Sequence, residues 1–333
     1  MPDSSKTVIS TAPFLHDRAT TPRIMWEVVF SMAPILLAGY YYFGLSAVLV
    51  TAVCVLDCLL AEWVFDTGAV RGASLRDGSA LITGMLLAFT LPPGFPLWMA
   101  FVGGFVAIGM GKAIWGGLGQ NIFNPALVGR AFLQAAFPGA ITTWELPDGQ
   151  YFSGRGANFA LPFMKGEPVD GVSAATPLAN MKFSHAMTPW QDLFLGNTSG
   201  CIGETSALLI LLAGAFLVYR KLINWRIPVS ILVTVALLSA LIFFVDPQRY
   251  PPPHFMLLAG GLLLGAVFMA TDMVTSPLTG RGIWIYGTGI GALVVTIRIW
   301  GGLPEGVMYA ILLMNAVTPL INKYVKQRVY GHA

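Results

Sequence analysis

The 333-residue chain is 56% hydrophobic and only 11% charged, where a soluble domain carries roughly 25% charged residues. Its mean hydropathy of +0.70 agrees, so the chain is read as an integral membrane protein lodged in a lipid bilayer. The formal net charge of +3 is small and gives no reason to expect a nucleic-acid partner.

The opening segment, MPDSSKTVIS, is polar and has no signal-peptide hydrophobic core. Beyond it, apolar runs predict about ten membrane-crossing elements, near 25–43, 45–64, 79–92, 97–114, 122–138, 203–220, 227–245, 254–275, 283–299 and 304–321. The third is short and ends at Leu91-Pro92-Pro93-Gly94. The eighth carries Asp272 just before Ser276-Pro277. Both read as broken or re-entrant helices, which survive at membrane depth only where protein or a water-filled cavity satisfies the backbone.

The chain also repeats itself. Ile114-Trp115-Gly116-Gly117-Leu118 recurs as Ile299-Trp300-Gly301-Gly302-Leu303, and the same offset pairs Thr90 and Pro92 with Thr275 and Pro277. The expected fold is therefore an all-α polytopic membrane protein built as two inverted five-helix repeats, with its broken helices near the midplane. Residues 1–138 form the first repeat with a short N-terminal tail, 139–202 a polar loop, and 203–333 the second repeat with a C-terminal tail.

Basic residues orient the chain. With the N-terminus cytoplasmic, the inside set is Lys6, Arg18, Arg23, Arg71, Arg76, Lys112, Arg220, Lys221, Arg226, Arg281, Lys323, Lys326 and Arg328. The outside set is Arg155, Lys165, Lys182, Arg249 and Arg298, and Arg130 falls within a span. The positive-inside rule then puts both termini in the cytoplasm and the 139–202 loop on the opposite, periplasmic face.

Charged groups within spans are costly, at about 2.5–3.5 kcal/mol each near a helix centre. Asp57 and Asp272 are the deepest acidic candidates for an ion pathway. For Asp272 a carboxylate serving freed amides at the helix break is an equally good reading; for Asp57, pairing with a buried polar group is the better one. Arg130 is expected to snorkel or to pair with a carboxylate. Glu204 suits a helix N-terminus. Cys54, Cys58 and Cys201 make neither a disulfide framework nor a four-ligand metal site. His16, His185, His254 and His332 are too scattered for a haem pair or a zinc site. There is no phosphate-binding P-loop. Redox chemistry would have to come from an attached cofactor.

The polar loop carries Asp170-Gly171-Val172-Ser173-Ala174-Ala175-Thr176. Thr176 precedes Pro177, which pushes it into extended backbone and leaves its hydroxyl accessible to a modifying enzyme. This heptapeptide resembles the flavinylation signature D-x-x-S-(G/A)-A-T, whose last threonine accepts FMN through a phosphoester. Gly119–Phe132 (GQNIFNPALVGRAF) and Phe268–Pro277 (FMATDMVTSP) resemble two further segments of the same family. That family comprises the D subunit of the Rnf electron-transport complex and the B subunit of the Na+-translocating NADH:quinone reductase. The short polar stretch before Met25 favours the Rnf branch, and Met273 stands where many relatives carry proline.

The resemblance implies FMN held covalently at Thr176, with Asp170, Ser173 and Ala175 as recognition features for a flavin transferase. It implies a membrane redox subunit that relays electrons in an ion-translocating ferredoxin:NAD+ oxidoreductase, beside Rnf subunits A, B, C, E and G. A non-covalent riboflavin is a further implied cofactor. Two other readings stay open at this point: a solute channel resembling urea channels, and a passive membrane anchor.

Overall fold

The computed structural model describes residues 20–66, 72, 74–147, 149, 151–152, 156–162 and 175–326. Among these the chain is helical and contains no extended β-strand. In the first half, α1 (Thr21–Phe43) and α2 (Leu45–Phe65) are joined through Gly44 alone. Gly44 turns the chain at φ 66°, a left-handed value that favours glycine, while its N–H donates to the Tyr40 carbonyl. Next come α3 (Ser79–Phe89), α4 (Leu97–Gly111), α5 (Pro125–Ala136) and the single turn α6 (Pro138–Ile141). Two short helices, α7 (Pro177–Ser184) and α8 (Trp190–Leu195), precede the second half. That half holds α9 (Ala207–Tyr219), α10 (Arg226–Val245), α11 (Pro253–Leu258), α12 (Leu262–Leu264), a π-helical turn at Gly265–Met269, α13 (Gly280–Trp300) and α14 (Val307–Tyr324).

Among the described residues, five helical stretches are long and apolar enough to cross a membrane: Thr21–Phe43, Leu45–Phe65, Leu97–Trp115, Arg226–Val245 and Gly280–Trp300. Four of the remaining apolar runs are shorter as helices than as sequence, whereas α14 keeps 18 helical residues, the full length of the 304–321 run. The 79–92 run yields 11 helical residues, 122–138 yields 12 and 203–220 yields 13. The 254–275 run divides among α11, α12 and the π turn. Apolarity extends past α3 and ahead of α9 because the flanking segments 90–96 and 201–206 are mostly buried in protein, so hydrophobicity there no longer reports helix length.

The helices pair in a recurring pattern. In the first half α2 packs on α3 and α4, and α4 on α5. In the second, α10 packs on α11, the π turn and α13, and α13 on α14. The halves meet through α1 with α9 and α5 with α14. Exposed Phe30, Leu37, Leu56, Leu60, Leu237, Leu241 and Phe244 give α1, α2 and α10 apolar outer faces, as lipid contact demands. Small residues set the closest approaches: a Cβ on Gly84 would stand 2.6 Å from the Val55 Cα, so α2 and α3 touch backbone to backbone.

Each helix break has its own set of partners. Phe89 and Leu91 carbonyls accept from the Gly203 and Ile202 amides, and the Thr90 carbonyl accepts from the Cys201 thiol. The Asn158 amide nitrogen faces the Pro93, Gly94 and Phe95 carbonyls while its oxygen accepts from the Ser46 hydroxyl. In the second half Arg298 donates to the Met256 and Ala259 carbonyls, and Glu305 accepts from the Gly261 amide. Lys112, at the end of α4, donates to Glu62 on α2 and to the Ser79 hydroxyl at the start of α3. Both charged partners are almost fully buried.

Removing one member of such a buried pair strands the other charge, at a cost of about 3–5 kcal/mol. Lys112→Met is accordingly expected to lower the thermal unfolding temperature in detergent sharply, and Glu62→Gln added to it to recover most of the loss. Equal stability of the single and double variants would contradict this account of the pair.

Candidate functional site

Thr176 is the N-cap of α7, at φ −65° and ψ 156°, the extended geometry expected before a proline. Its hydroxyl oxygen accepts from the Ala179 amide at 3.2 Å, and Pro177 occupies the first helical position. The exposed Ala175 has its carbonyl held by the Ser199 hydroxyl at 2.7 Å. Further along α7, Lys182 donates to the carbonyls of Arg298, Gly301 and Leu303, closing the C-terminal end of α13. All three ammonium protons are engaged, and partial burial holds this lysine below its ordinary pKa. The helix bearing Thr176 is thus pinned to a membrane-length helix. Asp170 and Ser173 lie outside the described residues.

The Thr176 hydroxyl borders an outer cavity of about 20 Å³, shared with Ser199, Glu204, Thr205, Gly260 and Glu305. The Thr205 hydroxyl oxygen is buried there without a hydrogen-bond partner among the described residues. Behind the cavity, Arg298 pairs with Glu305 at 3.4 Å, and the buried Arg130 reaches the Cys201 sulfur at 3.7 Å. Arg130 therefore turns inward among polar groups rather than snorkelling outward. Glu204 sits just ahead of α9, but Ser206 performs the capping, accepting from the Leu209 amide. The expected helix-terminus placement of Glu204 holds in position, while its carboxylate faces the cavity.

Asp272 lines a second, larger cavity of about 120 Å³ with Thr271, Ser79, Lys112, Asn121 and Asn124. Its carboxylate accepts from the Val274 amide and the Thr275 hydroxyl, serving the backbone freed at the break. Asn124 caps α5 through its side-chain oxygen and donates to the Met269 carbonyl at the end of the π turn. Asp272 thus satisfies the break, as one reading expected, and also faces a cavity. Asp57 is 1% exposed, and neither of its carboxylate oxygens has a hydrogen-bond partner among the described residues. It lies against the Gly104 backbone instead of pairing with a buried polar group, contrary to the favoured expectation.

The cavities sit at opposite ends of α1. Ile24 and Met25, at its start, line the Asp272 cavity. Tyr42, at its end, donates to the Leu195 carbonyl beside the outer site. A helix of 23 residues covers about 35 Å, so the two polar sites stand a membrane-scale distance apart along α1. Thr176 offers an esterifiable oxygen at a helix N-terminus, and the Asp272 cavity offers amide, carboxylate and ammonium groups between apolar walls.

Several members of these sites were not singled out from the sequence. Lys182 and Arg298 counted only as outside charges, whereas both bond to backbone at helix ends. Lys112 counted as an inside charge but is buried against Glu62. Lys112 and Arg298 stand just ahead of the two copies of Ile-Trp-Gly-Gly-Leu, which marks their positions without revealing these contacts, and Lys182 carries no such local mark.

Comparison with known proteins agrees in family. Residues 8–331 match the NQR2, RnfD, RnfE family. The chain is 39% identical to the D subunit of the proton-translocating ferredoxin:NAD(+) oxidoreductase complex of Clostridium ljungdahlii, covering 97% of this chain and 96% of that one. It is 42% identical to the D subunit of the ion-translocating oxidoreductase complex of Stutzerimonas stutzeri, over 94% and 93% of the two chains. It is 40% identical to the D subunit of the Na(+)-translocating ferredoxin:NAD(+) oxidoreductase complex of Acetobacterium woodii, over 97% and 95%. With its helices and the lengths of its apolar segments, the chain is a multi-pass membrane protein that belongs to the NQR2, RnfD, RnfE family.

Proposed function

We propose that this chain is the flavin-bearing membrane subunit of an ion-translocating ferredoxin:NAD+ oxidoreductase complex, with FMN esterified to Thr176. The observation that carries the reading is the placement of the Thr176 hydroxyl, on the last residue of the flavinylation-like heptapeptide, at the N-terminus of α7. The residues fit the group. A phosphoester on that oxygen would lie against the amides of the first helical turn, where a negative charge is favoured. Bound there, FMN would supply reversible electron storage. The chain itself contributes position: Ser199 holds the Ala175 carbonyl, and Lys182 fixes α7 on α13. Non-covalent riboflavin belongs to the same proposal.

The rest of the reading concerns arrangement. The recurring helix pairs on either side of α7 and α8, with matching breaks, support two inverted repeats of five crossing elements. The basic-residue distribution supports cytoplasmic termini and a periplasmic Thr176 in the bacterial inner membrane. A flavin transferase would modify Thr176 there, and the partners would be Rnf subunits A, B, C, E and G. Asp272, at the opposite cavity, is the proposed ion-path carboxylate; Asp57, buried against the Gly104 backbone without a charged partner among the described residues, is the second.

Two experiments bear on this. In cells that make the flavin transferase, wild-type chain should show flavin fluorescence on a denaturing gel, and Thr176→Ala should show none. Fluorescence persisting in Thr176→Ala would place the linkage elsewhere. Separately, Asp272→Asn in complex-containing vesicles should reduce ion transport driven by ferredoxin oxidation several-fold while leaving gel fluorescence unchanged. Wild-type transport in that variant would remove Asp272 from the ion path.

A further inference from the structure

The outer cavity beside Thr176, at about 20 Å³, has room for about one water molecule and none for a flavin ring. It is also the wrong electrostatic place for a phosphoester to enter, since Glu204 and Glu305 face into it. A group esterified at Thr176 must therefore extend outward, and α7 offers the direction. Leu178, on the first turn of α7, lines both this cavity and a second recess further along the helix.

That recess has a volume of about 330 Å³, within the roughly 300–1,000 Å³ of small-molecule sites. Its floor is apolar and buried, formed by Met181 on α7 and by Phe255 and Met256 on α11. Its rim carries flat and cationic groups: Trp300 at the end of α13, and Arg249 and Tyr250 before α11. Trp300 is 62% exposed, and the Arg249 guanidinium lies over the Tyr250 ring, 5.7 Å from its centroid. Aromatic faces and a polarizable floor of methionine suit a planar heteroaromatic ring. A guanidinium at the rim suits the carbonyl-bearing edge of such a ring.

The spacing fits. Lys182, six residues after Thr176, lies about 9 Å further along the helix axis at the helical rise and lines this recess. A ribityl chain extended from a phosphoester covers a comparable distance. Lys182 and Arg298 are already engaged with carbonyls, which leaves ring recognition to the rim.

From this geometry we infer that the recess between α7, α11 and the end of α13 seats the isoalloxazine ring of the group esterified at Thr176, with Trp300, Tyr250 and Arg249 as its walls. The inference rests on the proposed flavin attachment and adds the ring's location to it. The site packs one face of the ring against protein and slows access of solutes to it.

The test uses full-length chain produced with a flavin transferase and purified with its partner subunits. Flavin fluorescence quenching by iodide and the visible circular dichroism of the flavin are measured for wild type, Tyr250→Ala and Arg249→Glu. Both substitutions lie in the surface segment between α10 and α11. The expected result is a several-fold rise in the iodide quenching constant and loss of the visible dichroic band in each variant, with gel fluorescence of the denatured chain unchanged. Wild-type quenching and dichroism in both variants, with the flavin still attached, would overturn the ring seat alone. Absence of flavin from the denatured wild-type chain would overturn the attachment and the seat together.

Discussion

A polypeptide that interrupts its helices inside a bilayer must satisfy the freed backbone groups from within, since hydrocarbon offers no hydrogen bonds. The architecture of this protein follows from that constraint. The break after α3 is closed by the strap at Cys201–Gly203 and by Asn158; the break after α11 is closed by Arg298 and Glu305. The groups that perform this service are polar and buried, and so are the cavities that form beside them. Functional chemistry is placed where the backbone requirement has already brought polar side chains into an apolar surrounding.

The same economy of groups positions Thr176. Lys182 closes the carbonyl end of α13, a task a glycine cap or water performs in most helices. Because the lysine sits on α7, capping one helix also fixes the other. Thr176 is thereby coupled to a membrane-length element, although it stands on a helix of only eight residues. A group esterified at Thr176, as proposed, would be held in place by the same anchor.

Much of the site was legible in the sequence, and the reasons differ by residue. Thr176 could be read from a local rule: proline at the next position fixes its backbone, and the structure has that geometry. Asp272 could be read from the cost of a carboxylate beside a helix break. The fold class was legible from hydropathy, but the length of each helix was not. The 203–220 run begins in a buried segment ahead of α9, while Leu212, Phe216 and Tyr219 on α9 itself are exposed, and hydropathy does not distinguish the two surroundings. Lys182, Arg298 and Lys112 were illegible for a related reason. Their charges counted toward orientation, whereas their roles depend on long-range contacts such as that between Lys182 and Leu303, which local patterns do not encode.

The central claim is that the outer end of this scaffold presents one hydroxyl for covalent loading with a flavin. Its most direct test is mass spectrometry of the peptide containing Thr176, from protein made in cells with a functional flavin transferase. The account predicts a peptide heavier by one FMN less one water, with fragment ions assigning the mass to Thr176 and not to Ser173. An unmodified peptide at full recovery, or the added mass on another residue, would contradict it.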